Sequence, residues 1–217
     1  YKTYIGRIFT LTGTAPADAK KKASAVMELE TQLAKVSKKK EDLREPLENY
    51  NKYSIAALNK TLPGFKKFLN ELGVTSDTVL MGQPLFYQGL YSLLRKTELQ
   101  VLKDYLTFHL LNDDAAYLSH DFADARFDFD KLLTGQSVMK ERWKRMTSLV
   151  DQQLGEALGQ FYVQQYFPPE AKTRINELVE NIISTFSERL QQNDWMSDST
   201  RKKAIAKLHA IVKKVGY

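Results

Sequence analysis

Residues 138–169 read VMKERWKRMTSLVDQQLGEALGQFYVQQYFPP, and they predict the longest helix of the chain, from about Val138 to Tyr166. Pro168-Pro169 ends it, because the residue before a proline is pushed out of the helical region. Gly155 and Gly159 stand four apart on one helix face. Each costs roughly 1 kcal/mol relative to alanine, so the pair asks for a compensating contact. The spacing resembles a membrane-dimer motif, but Gln152, Gln153, Glu156 and Gln160 lie alongside. The expectation is close approach of another helix, with Gly159→Leu disrupting the domain.

Working outward, nearly every segment reads as helix. The first spans about Lys2 to Leu11 and stops at Gly13, where a glycine can take the left-handed cap conformation. The second begins with Thr14 as N-cap, Pro16 just inside the start and Asp18 in the first turn. Its stripe of Ala19, Ala23, Val26, Leu29, Leu33 and Val36 has the spacing of a buried helix face. Lys38 to Tyr53 is the least regular part, with Pro46 and several asparagines. Ser54 caps a short helix over Ile55–Asn59, and Pro63 starts another that Gly73 closes. Thr78-Val79-Leu80-Met81 has strand composition without a visible partner. Gly82 and Pro84 restart helix, and Thr97 with Gln100 forms a capping-box pattern for the next one. A helix over Phe122–Leu133 follows, then the long one, then Glu170–Gln192 and Asp198–Lys214, with Ser197 as N-cap of the last. The expected fold is all-α: an irregular multi-helix bundle with long C-terminal helices and at most a minor strand near 78–81. No solenoid repeat or low-complexity linker divides it, so residues 1–217 are expected to form one helical domain.

Composition narrows the chemistry. The chain of 217 residues has no cysteine, which removes disulfides and thiolate metal sites. Its mean hydropathy is -0.42, and no apolar run reaches the roughly 20 residues a bilayer needs. The net charge is +6, but the bases are dispersed as Lys20-Lys21-Lys22, Lys38-Lys39-Lys40, Arg201-Lys202-Lys203 and Lys213-Lys214, with acids between them. That pattern reads as solvated helix faces rather than a nucleic-acid footprint.

The three histidines, His109, His120 and His209, have no histidine at a four-residue spacing, and none is followed by glutamate. An H-E-x-x-H zinc helix is therefore not encoded here. His109, among Phe108, Leu110 and Leu111, is expected to be packed and hydrogen-bonded. There is no G-x-S-x-G elbow and no phosphate loop. The carboxylate pairs Asp113-Asp114, Asp128/Asp130 and Asp194/Asp198 read as helix-start and surface charges. The aromatics of the second half, including Phe122, Phe129, Trp143, Phe161, Tyr162, Tyr166 and Trp195, are expected to be core.

The ordered set Arg142-Trp143, Gly155-Glu156-Ala157-Leu158-Gly159, Tyr162, Trp195-Met196, Lys207 and Gly216-Tyr217 resembles the segment of neprilysin-like zinc metallopeptidases that precedes their catalytic region. Weaker pieces, Val26-Met27-Glu28-Leu29-Glu30, Asn49-Tyr50-Asn51-Lys52 and Leu133-Thr134-Gly135, fit the same order. Animal members often carry cysteine three residues after the tryptophan; Met146 stands there, which fits a bacterial member. The resemblance implies a parent zinc metalloendopeptidase that cleaves small peptides. This segment would be its helical, non-catalytic lobe, closing the active-site chamber and limiting substrate size. It implies zinc in the parent and none in this segment, no catalytic or metal-binding residue among 1–217, and structural roles for Arg142, Trp143, Gly155, Gly159, Tyr162, Trp195, Lys207 and Gly216. The implied partners are the catalytic lobe of the same polypeptide and peptide substrates. No nucleic acid or membrane contact is expected of the segment, dimerisation through its exposed face is, and the parent is expected outside the cytoplasm. The alternative is a free-standing basic helical module that binds an acidic partner or nucleic acid.

Overall fold

The computed structural model describes residues 1–216. They form ten α-helices and one two-stranded sheet. Contacts divide the chain into two compact units, residues 1–139 and the part from Lys140 onward.

In the first unit, α1 (Lys2–Leu11) and α2 (Pro16–Val36) form an antiparallel-type pair joined by the turn at Gly13, whose φ is +88°. Their contact faces are complementary in size. A methyl group on Gly6 of α1 would lie 3.9 Å from both the Ala19 carbonyl oxygen and the Ala23 Cβ, so small residues set a close approach. Tyr4, Ile5, Ile8 and Phe9 of α1 meet Ala19, Ala23 and Val26 of α2 in the main core. α6 (Leu99–Asp114) adds Phe108, and α7 (His120–Thr134) adds Ala125. Burying side chains such as Phe9, Phe108, Ile5, Ile8 and Val26 stabilises the fold by about 1.5–3 kcal/mol each. Tyr4 stacks on Phe129 at 4.9 Å between ring centroids, and Phe108 meets Tyr4 edge-on at 5.9 Å.

A second core lies under the irregular stretch. β1 (Lys52–Ser54) pairs antiparallel with β2 (Thr78–Leu80), placing Tyr53 opposite Val79. The expected strand near 78–81 thus has a partner, supplied by a segment whose asparagines concealed it. Tyr53 and Val79 pack on Leu58 and Leu62 of α3 (Ile55–Thr61) and on Met81. Ser54 Oγ accepts from the Ala57 N–H, forming the cap its position predicts. α4 (Phe65–Glu71) and α5 (Pro84–Lys96) complete this part. The capping box at Thr97 and Gln100 does not form. Glu98 is the N-cap of α6, and Gln100 Nε2 donates instead to Asp104 Oδ1 at 3.0 Å. The Thr14 cap also moves by one residue, to Ala15.

Polar groups inside the first unit are paired. Asp104 is buried and accepts from Lys22 Nζ at 2.7 Å. Glu30 Oε1 accepts from the Tyr1 hydroxyl at 2.8 Å and lies 2.9 Å from His109 Nε2, so His109 is packed and hydrogen-bonded as expected. Arg126 holds Asp130 through Nε and donates from Nη1 to Asn112 Oδ1, which also accepts from the Tyr4 hydroxyl. Burial, and then the hydrogen bond to Glu30, push the Tyr1 phenol above the ordinary tyrosine value. Burial raises Tyr4 against the opposing charge of Arg126, and burial followed by the charge of Glu30 raises Tyr105.

In the second unit, α8 (Arg142–Tyr166), α9 (Pro169–Gln191) and α10 (Asp198–His209) follow in order. α8 starts four residues later than expected, and α10 ends at His209 rather than Lys214, with residues 211–216 irregular. Ser197 Oγ accepts from the Thr200 N–H, as its capping position predicts. α10 packs on α9, with Leu190 and Leu208 buried.

Two outcomes test this description. An added Cβ on Gly89 of α5 would sit 2.7–2.9 Å from the side chain of Val36. Gly89→Ala therefore lowers stability in urea unfolding by about 1–3 kcal/mol, despite alanine's roughly 1 kcal/mol helix advantage. In a Val36→Ala background the same change becomes neutral or stabilising; a stabilised single variant would refute the close contact. The raised phenols of Tyr1, Tyr4 and Tyr105 favour the folded state fully below their unfolded value, about pH 10. That contribution is lost as pH rises through the folded values. Thermal stability should fall above about pH 10, and the fall should shrink in Tyr1→Phe; an equal fall in both chains would count against it.

Candidate functional surface

The residues that carry the sequence resemblance lie mostly on the second unit, and the structure does not gather them into one site. Arg142 opens α8. Trp143 is 64% exposed; its indole N–H donates to Glu141 Oε2 at 2.6 Å and Lys144 Nζ lies 5.2 Å over its ring. Tyr162 is exposed, with its ring 5.2 Å from that of Tyr166. Trp195 is exposed on the α9–α10 connection, where its backbone N–H donates to Asn193 Oδ1. Lys207 lies in the last turn of α10, and its carbonyl accepts from the Ala210 N–H. Gly216 has φ +74°, and a Cβ there would approach Phe167 Cε1 to 2.6 Å. Both the positive φ and the ring demand glycine. Tyr217 lies outside the described residues.

Gly155 and Gly159 correct an expectation. A Cβ on either meets no heavy atom within 4 Å, so among the described residues of this unit no helix approaches them closely. The aromatic residues of α8 correct another. Phe122 and Phe129 pack on the main core, but Trp143, Phe161, Tyr162, Tyr166 and Trp195 are exposed rather than core. No residue of α8 is buried. Val150, Leu154, Leu158 and Phe161 recur at three- and four-residue intervals along its length, all exposed. α9 repeats the pattern with Ile175, Leu178, Ile182 and Phe186. These are two apolar helix faces left open to solvent.

Sequence reading missed one organising residue. Arg201 belongs to a basic triplet that reads as solvated charge. Its Nη2 instead donates to the carbonyls of Asn193 and Met196, at 2.7 and 3.2 Å, and Nη1 pairs with Asp198. It thereby ties the start of α10 to the connection that carries Trp195. A lone arginine three residues after a helix-start aspartate was the available signal.

The donor set does not fit zinc. His109 Nε2 is engaged with Glu30, and His120 Nδ1 with Asp124 Oδ2 at 2.7 Å on the same helix. His209 ends α10 in the other unit. Among the described residues no group of three or more His, Cys, Asp or Glu side chains could hold a metal ion. Three carboxylates of the sequence pairs are tied up in ion pairs. Asp128 takes Arg7 and Lys131, Asp130 takes Arg126, and Asp198 takes Arg201. Hydrogen bonds from Lys131 and then Arg7 hold the exposed Asp128 carboxyl below its ordinary value, the reverse of what a proton donor needs. Among the described residues no helix is long and apolar enough to cross a membrane.

Known proteins share both sequence and shape with this chain. A neutral endopeptidase of Lactobacillus helveticus is 28% identical over 216 residues, 97% of this chain and 33% of its own length. Neprilysin of Mus musculus is 28% identical over 207 residues, covering 88% of this chain and 28% of its own. The crystal structure of Mycobacterium tuberculosis zinc metalloprotease ZMP1 with an inhibitor superposes at TM-score 0.85 and 30% identity, over 96% of this chain and 32% of that one. The chain therefore spans a third or less of the length of these relatives. Residues 1–217 as a whole match Peptidase family M13, and the chain belongs to that family of neprilysin-like zinc metallopeptidases.

Proposed function

We propose that residues 1–217 are one helical domain, the non-catalytic lobe, of a zinc metalloendopeptidase that hydrolyses small peptides. The observation that carries this reading is coverage: the match spans all of this chain and about a third of proteins named as endopeptidases and metalloproteases. The remaining two thirds would supply zinc ligands, the base and the substrate-backbone contacts. Zinc in such an enzyme activates a water for attack on the peptide carbonyl. The residues of this chain take no part in that step.

Their work is steric. The first unit, with its stacked rings and paired buried charges, makes a wall that does not yield to a folded protein. A chamber closed by such a wall admits short flexible peptides and excludes bulky ones, a selectivity by exclusion. The open apolar faces of α8 and α9 support a second element of the proposal: in the whole polypeptide they pack against the catalytic lobe. The family resemblance supports a parent outside the cytoplasm.

The lobe reading is tested with the full-length polypeptide and this segment side by side. The full-length protein should cleave a fluorogenic pentapeptide and lose that activity to a chelator, while the segment gives none. Cleavage of a folded protein at a rate similar to the pentapeptide would overturn selection by size, and zinc-dependent hydrolysis by the segment would overturn the non-catalytic role. Leu158→Asp and Phe186→Asp test the packing. Each should lower the stability of the full-length protein by about 2–4 kcal/mol, as for a charge placed in a buried apolar contact. In the isolated segment the same changes should be within about 0.5 kcal/mol. Equal effects in both chains would show that these faces are not covered by the rest of the protein.

A further inference from the structure

The first unit contains an apolar groove that the lobe function does not use. It runs between α4 and α5, and its cavity volume is about 330 Å³. Phe65 and Phe68 form one wall; Tyr87, Leu90, Tyr91 and Leu94 form the other. The four residues of α5 follow the i, i+3, i+4, i+7 spacing of one helix face, so the wall is continuous for about 10 Å. Its floor is fixed, because Phe65 and Tyr91 pack on the buried Leu58, Leu62 and Met81. Its rim is open: Phe68 is 56% and Leu94 50% exposed. A rigid apolar floor with exposed aromatic sides is a surface for capturing an apolar side chain.

The charge around the groove defines the occupant further. Arg95 stands at its edge, with Nη1 donating to the Tyr91 hydroxyl at 3.2 Å and the guanidinium 5.7 Å from the centre of the Tyr91 ring. Among the described residues no carboxylate pairs with it. Stacking on a ring leaves the remaining guanidinium donors free for a carboxylate, which they can bind bidentately. The segment that builds the groove, residues 52–97, carries Lys52, Lys60, Lys66, Lys67, Arg95 and Lys96 against only Glu71 and Asp77. Lys66 lines a separate depression beside Asp77, so Arg95 is the cation placed at the groove, and the positive excess of residues 52–97 adds a long-range attraction for anionic partners. The groove is short and open along one side, which suits a few residues of extended peptide at about 3.3 Å each. A fatty acyl chain would be left mostly in water there.

We propose that this groove binds an acidic peptide segment, seating a leucine or aromatic side chain between Phe68 and Tyr87–Leu94 and pairing a neighbouring carboxylate with Arg95. It is a binding site apart from peptide hydrolysis, and it stands whether or not the lobe reading does. The test uses the full-length polypeptide and a fluorescein-labelled capped peptide, Leu-Bpa-Asp-Glu, in which Bpa is the photo-reactive benzoylphenylalanine. Anisotropy gives the affinity, and mass spectrometry of the irradiated complex gives the attachment site.

Saturable binding with attachment within residues 62–95 is expected. Arg95→Gln should weaken it about 10-fold, the scale of one charge-assisted contact, and leave a Leu-Bpa-Lys-Lys control unaffected. Leu94→Asp should weaken the acidic peptide further through the same surface. Circular dichroism and pentapeptide hydrolysis of each variant are recorded alongside: both substitutions are at exposed positions, so both readouts should stay at wild-type values. Attachment elsewhere, equal affinity for the acidic and basic peptides, or no binding at millimolar peptide would each overturn the proposal. Displacement of the peptide by dodecanoate more readily than by unlabelled peptide would also overturn it, by assigning the groove to a lipid anion. Hydrolysis lost while groove binding persists would refute the enzyme reading alone, so the two failures are distinguishable.

Discussion

The close approach of α1 and α2 is the constraint on which the first unit depends. Gly6, Ala19 and Ala23 are too small to hold two helices apart, so the larger residues beside them, Ile5, Ile8, Phe9 and Val26, fall into one shared core. Phe108 can then enter from α6 as a fully buried ring, and Tyr4 reaches across to stack on Phe129 of α7. Each later contact presumes the earlier one. The polar pairs follow the same logic: Lys22 can neutralise Asp104 because α2 and α6 are already fixed by apolar packing. A buried charge without its partner costs several kcal/mol, so this pair enforces one register of the two helices rather than adding much net stability.

Most of the helices were legible because their stops are chemical. Pro16, Pro84 and Pro168-Pro169 fix φ and remove a donor, and Ser54 and Ser197 bond back to the helix they start. What failed was whatever depends on distant residues. The pairing of Lys52–Ser54 with Thr78–Leu80 is set by Tyr53 and Val79 meeting the Leu58–Leu62–Met81 cluster; Thr78–Leu80 shows strand composition, but Lys52–Ser54 has too few β-formers to announce itself as its partner. At Thr97 the local pattern promised a capping box, but Gln100 was taken by Asp104, whose burial no local pattern reveals. The end of α10 was overestimated because Ile211-Val212-Lys213-Lys214 continues a helical spacing although Ala210 already closes the helix.

Glycine shows why the functional surface was harder to read than the fold. A helical glycine needs a packing reason, yet the added Cβ atoms of Gly155 and Gly159 meet nothing. Gly89 is the position where it holds, with Val36 directly above it. All three look alike in sequence: each lies inside a helix with polar and apolar neighbours. The difference is the presence of a facing element, which only three-dimensional placement supplies. Gly216 was legible only as part of a family pattern, and its reason, a positive φ beside the Phe167 ring, is likewise a property of the folded chain. The same holds for Arg201, where charge suggested solvent and geometry gives two backbone carbonyls.

The contrast between the two units carries the functional argument further than any single residue. In α1 and α2 of the first, apolar side chains at helical spacing are buried, as pattern predicts. In the second, equally regular patterns on α8 and α9 face water, although the sequence spends leucine, isoleucine and phenylalanine on them. A helix is held in proteins mainly by burial of its apolar face rather than by propensity, so a 25-residue helix with no buried residue lacks its main stabilising term. Solvent does not select for such a stripe; a packing surface does. The half-buried glycines of α8, whose added Cβ atoms meet nothing, are consistent with the same surface, since a smooth face accepts a partner closely where side chains would stand off. The proposed lobe therefore rests on two independent observations. One is that the chain matches about a third of its longer relatives. The other is that the apolar pattern of α8 and α9 has no complement among the described residues of its own unit.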